Sequence, residues 1–162
     1  MVDTQSLIGA LKEKFPASIL EEVEFRGERT VSVVDRDLYE ICRFLRSDPS
    51  LQFDFLTDLC GVDFHPETPR FEVVYLLYSM KRNERLRLKV RLPEGGAIRS
   101  VESIWKAANW LEREVYDLFG IRFDHHPDLR RILLWDGYEG HPLRKDYPVE
   151  GPDFDKPFVP EG

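Results

Sequence analysis

The residue types able to do chemistry crowd into one stretch, Glu112 to Pro148, which reads E-R-E-V-Y-D-L-F-G-I-R-F-D-H-H-P-D-L-R-R-I-L-L-W-D-G-Y-E-G-H-P-L-R-K-D-Y-P. Glu112 and Glu114 have the chemistry of a general acid and base, but residues two apart on a helix point about 200° apart and cannot address one substrate. Arg113 and Asp117 stand at i, i+4, the spacing of an ion pair on a salt-bridged helix surface, and Glu114 lies one turn from Asp117. His125, His126 and His141 with Asp124 and Asp128 have the side chains of a metal site. Within this stretch, however, no H-x-x-x-H, H-E-x-x-H or H-x-E spacing occurs, and adjacent histidines on an extended backbone point to opposite sides, so no metal is expected. His126 and His141 each precede a proline, Pro127 and Pro142, which holds the backbone extended. Each fits a hydrogen bond to a carbonyl or carboxylate. Gly120, Gly137 and Gly140 form no phosphate-cradling pattern, and no G-x-S-x-G elbow is present.

What the stretch does offer is balanced charge between apolar anchors. It holds six basic and eight acidic side chains. Arg130-Arg131 follow Asp128-Leu129, and Arg144-Lys145 precede Asp146-Tyr147, among Ile132, Leu133, Leu134, Trp135 and Leu143. Arginine and aromatic groups anchor protein interfaces. A segment with so little helical or strand period cannot bury its own backbone well, so it is expected to lie on another surface as a docking arm.

The elements that must position this arm follow from the rest of the chain. Its 162 residues favour one domain with its own core. With 42% hydrophobic and 33% charged residues, it is neither membrane-spanning nor disordered. No window reaches the roughly 18 to 20 apolar residues of a bilayer span, and Met1 to Leu11 lacks the pattern of a secretory leader, which leads to the expectation of a cytosolic protein without direct membrane insertion. A net charge of -7 argues against nucleic acid and anionic membrane as partners. Cys42 and Cys60 form no C-x-x-C pair and fit reduced, packed thiols.

Asp3 or Thr4 can cap a first helix with Leu7, Ile8, Leu11 and Phe15 on one side, stopped by Pro16. A hairpin follows, with Ile19, Val23 and Phe25 on one face of its first strand, a turn at Arg26-Gly27-Glu28 and a second strand from Arg29 to Val34. Asp35 caps a helix carrying Leu38, Ile41, Cys42 and Leu45 at helical spacing. Phe53, Phe55, Thr57 and Leu59 alternate along a strand. Phe71 to Ser79 is nearly continuous in apolar residues, as a central strand covered on both faces would be. From Arg85 to Leu92 basic and apolar residues alternate, predicting an edge strand with a solvated basic face. Pro93 to Ser100 reads as a loop. A third helix carries Ile104, Ala108, Leu111, Val115 and Leu118, with Glu112, Arg113 and Asp117 on its polar side and Gly120 as its left-handed stop. From Val149 the tail reads as extended or disordered. The expected fold is α+β, a two-layer mixed β-sheet with helices packed on it in the order α-β-β-α-β-β-β-α. Residues 1–120 form the globular part. Residues 121–162 form the extended arm, which does not fold independently.

At E-R-E-V-Y-D-L-F-G-I (112–121), H-P-D-L-R-R-I-L (126–133) and G-H-P-L-R-K-D-Y-P (140–148) the sequence resembles the C-subunit of proton-translocating NADH-quinone oxidoreductase, the 30 kDa subunit family of respiratory complex I. The likeness extends upstream through Leu56 to Leu59, Gly61 to Asp63 and Ala108 to Leu111. It implies a non-catalytic peripheral-arm subunit on the cytoplasmic side of the membrane, docked on the D-subunit homologue near the quinone site. It implies no cofactor in this chain, with FMN, iron-sulfur clusters and quinone held by partner subunits. By position Glu112, Arg113, Glu114 and Asp117 would fix the helix end, and Gly120 would release the arm. His126, Pro127, Asp128, Leu129, Arg130, Arg131, Gly140, His141, Pro142, Leu143, Arg144, Lys145, Asp146 and Tyr147 would meet the partner. Two rival readings are the equivalent subunit of a membrane-bound hydrogenase or other quinone-reducing complex, and a stand-alone His/carboxylate enzyme.

Overall fold

Strict alternation of apolar and charged residues makes the central strand. In the computed structural model, which describes residues 5–150, Glu84–Leu92 (β5) buries Leu86, Leu88, Val90 and Leu92 and turns the charged set outward. Phe71–Ser79 (β4) pairs with it antiparallel on one side, and Glu28–Val33 (β2) pairs with it parallel on the other through Thr30 to Ser32. Ile19–Phe25 (β1) and Phe55–Asp63 (β3) close the five-stranded sheet in the order β1-β2-β5-β4-β3. Helices Gln5–Lys14 (α1), Leu38–Ser47 (α2) and Ala108–Phe119 (α3) bury their apolar sides in the same core cluster as the inward set of the strands. The α+β class and the mixed sheet agree with the sequence. The cap at Asp3 or Thr4 and the tail from Gly151 lie outside the described residues. Among the described residues no helix is long and apolar enough to cross a membrane.

Several local expectations are corrected. β5 is the centre of the sheet, not its edge, because alternation reports one solvated face and says nothing about neighbours. β4 is interior and covered on both faces as expected, its second face by long basic side chains. Lys89 Nζ sits 3.0 Å from Glu72, and Arg85 lies over the Tyr78 ring at 5.6 Å. Irregularities in register move faces at both sheet edges. One between Ile19 and Glu21 leaves Ile19 opposite Val33 but puts Val23 opposite Thr30, so the two do not share a face. Another between Leu56 and Asp58 lets Leu56 and Leu59, three apart, both be buried, while Phe55 opposite Tyr78 is exposed and Phe53 is buried ahead of the strand. Asp35 does not cap α2. It opens a short 3-10 turn, Asp35–Asp37, and its carboxylate takes the Arg36 N–H. Ile104 lies before α3, which starts at Ala108. Cys42 is buried, whereas Cys60 is exposed on β3 and is not a packed thiol.

Two short strands were not legible. Ala97–Arg99 (β6), within the expected loop, pairs parallel with Arg122–Asp124 (β7), just past Gly120. Three residues each carry too little alternation to distinguish them from turns. They tie the start of the arm to the segment that leads into α3.

Candidate docking site on the end of helix α3

An α-helix leaves its last four carbonyls without intrahelical partners. At the end of α3 the Gly120 stop answers one of them and the arm the other three. Gly120, at φ 75, closes the helix by donating its N–H to the Tyr116 carbonyl at 2.8 Å. His141 Nδ1–H donates to the Asp117 carbonyl at 2.9 Å, the Leu143 N–H to that of Leu118 at 3.1 Å, and Arg144 Nε to that of Phe119 at 2.6 Å. The block G-H-P-L-R is thus the C-terminal cap of the block E-R-E-V-Y-D-L-F-G. Its arginine also places a cation at the negative end of the helix dipole. Gly120 leaves no room for a side chain, since a Cβ there would lie 2.6 Å from the His141 ring.

Glu112, Arg113 and Asp117 of α3 face inward, contrary to the expected salt-bridged surface, and Glu114 is left outside. Glu112 and Asp117 are fully buried and Arg113 nearly so. The i, i+4 pair does not form. Arg113 donates to the carbonyls of Arg130 and Arg131 at 3.1 and 2.9 Å, while Asp117 binds Arg131 at 2.6 Å and takes the successive N–H groups of Ile132, Leu133 and Leu134 at 3.0, 2.8 and 2.9 Å. Burial pushes the Asp117 carboxyl up. The Leu134 N–H, the Arg131 guanidinium and the N–H groups of Ile132 and Leu133 outweigh it and hold the carboxyl below the usual range. Arg131 then spends its second nitrogen on the carbonyls of Tyr138 and Gly140.

Glu112 ties the α3 lead-in down. Its carboxylate accepts the Ser100 hydroxyl at 2.6 Å and the Val101 N–H at 2.8 Å. Burial, against those two bonds, pushes the carboxyl up to about 7. His126 Nε2 lies 3.9 Å away. Because His126 Nδ1 accepts the Asp128 N–H, Nε2 carries the proton and donates to the Asn109 carbonyl at 3.1 Å.

The last block is fixed by a residue the sequence reading missed. Arg70, 4% exposed, grips Asp63 and Asp146 each with two bonds between 2.6 and 3.0 Å, and reaches Glu94 at 3.0 Å. Asp63 also takes the Lys145 N–H. The Arg70 guanidinium holds both Asp63 and Asp146 below the usual carboxylate range. Nothing around Arg70, at the end of the loop H-P-E-T-P-R, has a period that would reveal it. Tyr147 closes over Gly140, where a Cβ would meet its ring at 2.7 Å, and its hydroxyl meets that of Tyr138 at 2.6 Å.

The arm therefore does not lack a surface. The expectation that its backbone and charges need a second polypeptide is overturned: Arg131, Arg144 and Asp146 are satisfied within the chain, against α3 and the ends of β3 and β4. Of the residues expected to meet a partner, Glu112 and Asp117 are sealed from contact. Glu114, Pro127, Asp128, Arg130, Gly140, Leu143 and Lys145 are exposed, and Leu129 packs against the core. Beside them stand Leu133 and Trp135, each 60% exposed, and Leu143, 52% exposed. His125, His126 and His141 do not converge, and among the described residues no group of three or more His, Cys, Asp or Glu side chains could hold a metal ion.

Comparison with known proteins adds to this geometry. The profile of the family described as respiratory-chain NADH dehydrogenase, 30 Kd subunit, matches residues 31–153. The NADH-quinone oxidoreductase C-subunit of Geobacter metallireducens is 54% identical over 154 residues, 94% of each chain. That of Geobacter sulfurreducens is 53% identical over 155 residues, again 94% of each. Among solved structures, a trypsin-resistant fragment of Nqo5 is 32% identical with a TM-score of 0.66, covering 77% of this chain and 98% of that one. A chain of the membrane-bound sulfane sulfur reductase, an archaeal respiratory membrane complex, shares the fold with a TM-score of 0.76 at 23% identity, covering 90% of this chain and 85% of that one.

Proposed function

Since this chain belongs to the 30 Kd subunit family of the respiratory-chain NADH dehydrogenase and is a subunit of a complex I type NADH-quinone oxidoreductase, we propose that it is a non-catalytic docking subunit, seated on the D-subunit homologue near the quinone site. In this reading it belongs to the peripheral arm on the cytoplasmic side. FMN, iron-sulfur clusters and quinone reside in other subunits, and the arm is the contact.

One observation carries the reading. Leu133, Trp135 and Leu143 stand out from an irregular segment whose backbone is held by Asp117, Arg131 and the end of α3. Exposed large apolar groups on a preorganised backbone are the anatomy of an interface anchor, because little ordering entropy is left to lose on binding. Trp135 is further steadied edge-on against Tyr138, with ring centroids 4.7 Å apart. Polar groups consumed inside the chain build the platform, and the apolar groups on top meet the neighbour.

The test is to replace Leu133 and Trp135 together by alanine. The isolated chain is expected to unfold at an unchanged denaturant midpoint, while recovery of the chain with the D-subunit homologue from an affinity-tagged complex falls at least about tenfold, the loss of one strong anchor. Wild-type recovery with either protein as bait would overturn the assignment.

A further inference from the structure

The sheet carries a second surface that nothing in the arm explains. β1 is an edge strand, paired on one side only. Leu20, Val23 and Phe25 on this strand are 64%, 43% and 66% exposed. Its turn, Arg26-Gly27, has φ values of 52 and 79, which for a two-residue hairpin loop means a type I′ turn. Such a turn is closed by a hydrogen-bonded pair, here Phe25 with Glu28, and pairs alternate from there. Val23 is then hydrogen-bonded to Thr30, and Glu22 and Glu24, opposite Val31 and Arg29, are not bonded to β2 through their backbones. The N–H and C=O groups of Glu22 and Glu24 therefore point outward along the open edge. Val23 and Phe25 rise on the helix-free face of the sheet. Glu22 and Glu24 rise on the opposite face, beside Lys12 and Arg29.

We propose that β1 is the docking edge for an extended segment of another subunit of the complex, one that alternates Lys or Arg with Val, Ile or Phe and adds to the sheet as a sixth strand. Strand addition uses main-chain bonds for affinity and alternate side chains for choice of partner. On one face the incoming segment must cover Val23 and Phe25 with apolar groups. On the other it meets Glu22 and Glu24, and opposite charges across a strand pair are favourable while like charges are not. That charge disfavours a second copy of this chain. A β1–β1 register that sets Val23 against Val23 or against Phe25 lays a carboxylate over a carboxylate, Glu22 over Glu24 or Glu24 over Glu24. The inference rests on membership of the multi-subunit complex and is independent of what the arm binds.

Amide-resolved hydrogen exchange on the isolated full-length chain and on the purified complex tests it. The amides of Glu22 and Glu24 are expected to exchange at least about tenfold more slowly in the complex, because they gain strand partners there. Val23→Lys with Phe25→Lys, both at exposed positions, is expected to leave the isolated chain's unfolding midpoint in place, to abolish that protection and to reduce incorporation. Equal exchange in the two wild-type samples would overturn the proposal even if the variant failed to fold, and would leave a solvated edge guarded by its carboxylates. So would protection that the variant retains, or concentration-dependent self-association of the isolated chain that the variant removes. Normal docking through Leu133 and Trp135 alongside such a result would separate this failure from a failure of the arm's assignment.

Discussion

The α3 end and the β1 hairpin sit in one chain and follow opposite rules. Around α3 nearly every polar group is buried and answered: Glu112 by Ser100 and Val101, Asp117 by Arg131 and three N–H groups, the helix carbonyls by His141, Leu143 and Arg144. Along β1, Leu20, Val23 and Phe25 are in water, and the exposed Glu22 and Glu24 pair with Lys12 and with Arg29. A buried ionic network contributes to uniqueness of structure and fails steeply when one member is lost. An exposed strand contributes little to its own fold, so its residues are free to serve something else. Function here lies in what is left exposed on a rigid support rather than in the conspicuous charges.

The largest loss is expected of Asp117→Ala. It strands Arg131 and three backbone N–H groups, and should cost about 3–5 kcal/mol in denaturant unfolding, as does removal of one member of a buried ion pair. A loss below about 1 kcal/mol, the range of an exposed pair, would make the α3 end no different from the hairpin.

Next is pH. A buried Glu112 at about 7 against an ordinary 4.5 is raised, so its contribution to stability is present below about 4.5 and is lost as pH rises through about 7, by about 3 kcal/mol. Asp63, Asp117 and Asp146, all depressed, work in the opposite sense and lose their contribution only as the solution becomes more acidic than the ordinary carboxylate range. Unfolding measured from about pH 5 to about pH 8, a window that brackets the raised carboxyl, should therefore fall with pH in the wild type relative to Glu112→Gln, which keeps the opposite, upward trend of His141, whose imidazole is held below its ordinary value by burial.

The smallest effects separate two arginines that look alike in the sequence. Arg144→Ala removes the cap on the Phe119 carbonyl and should cost about 1–3 kcal/mol. Arg130, 72% exposed and paired only with Asp128 at 2.9 Å, should cost no more than about 0.5 kcal/mol when replaced by alanine. Thermal unfolding of the two variants side by side decides it.

Periodicity made the fold class, the helices and most of the strands legible, because burial of a face repeats along the chain. The Leu38, Ile41, Cys42 and Leu45 face of α2 is buried as its spacing predicts. Position within the sheet was not legible: β5 shows its solvated face in its alternation but hides its two neighbours. Single-residue irregularities at Ile19/Glu21 and Leu56/Asp58 reversed faces without any mark in composition. At the candidate site the three signature blocks were found, but their relation to one another was read outward instead of inward. Local charge balance cannot tell an intermolecular pair from an intramolecular one, and the partner that anchors Asp146, Arg70, is 76 residues away.

With the carbonyls of Tyr116, Asp117, Leu118 and Phe119 all occupied, the fraying that normally loosens a helix terminus is closed off. The amides of the final turn of α3 can then open only when the G-H-P-L-R segment lifts away, so their exchange rate is a clock for release of the arm, readable without touching the arm itself.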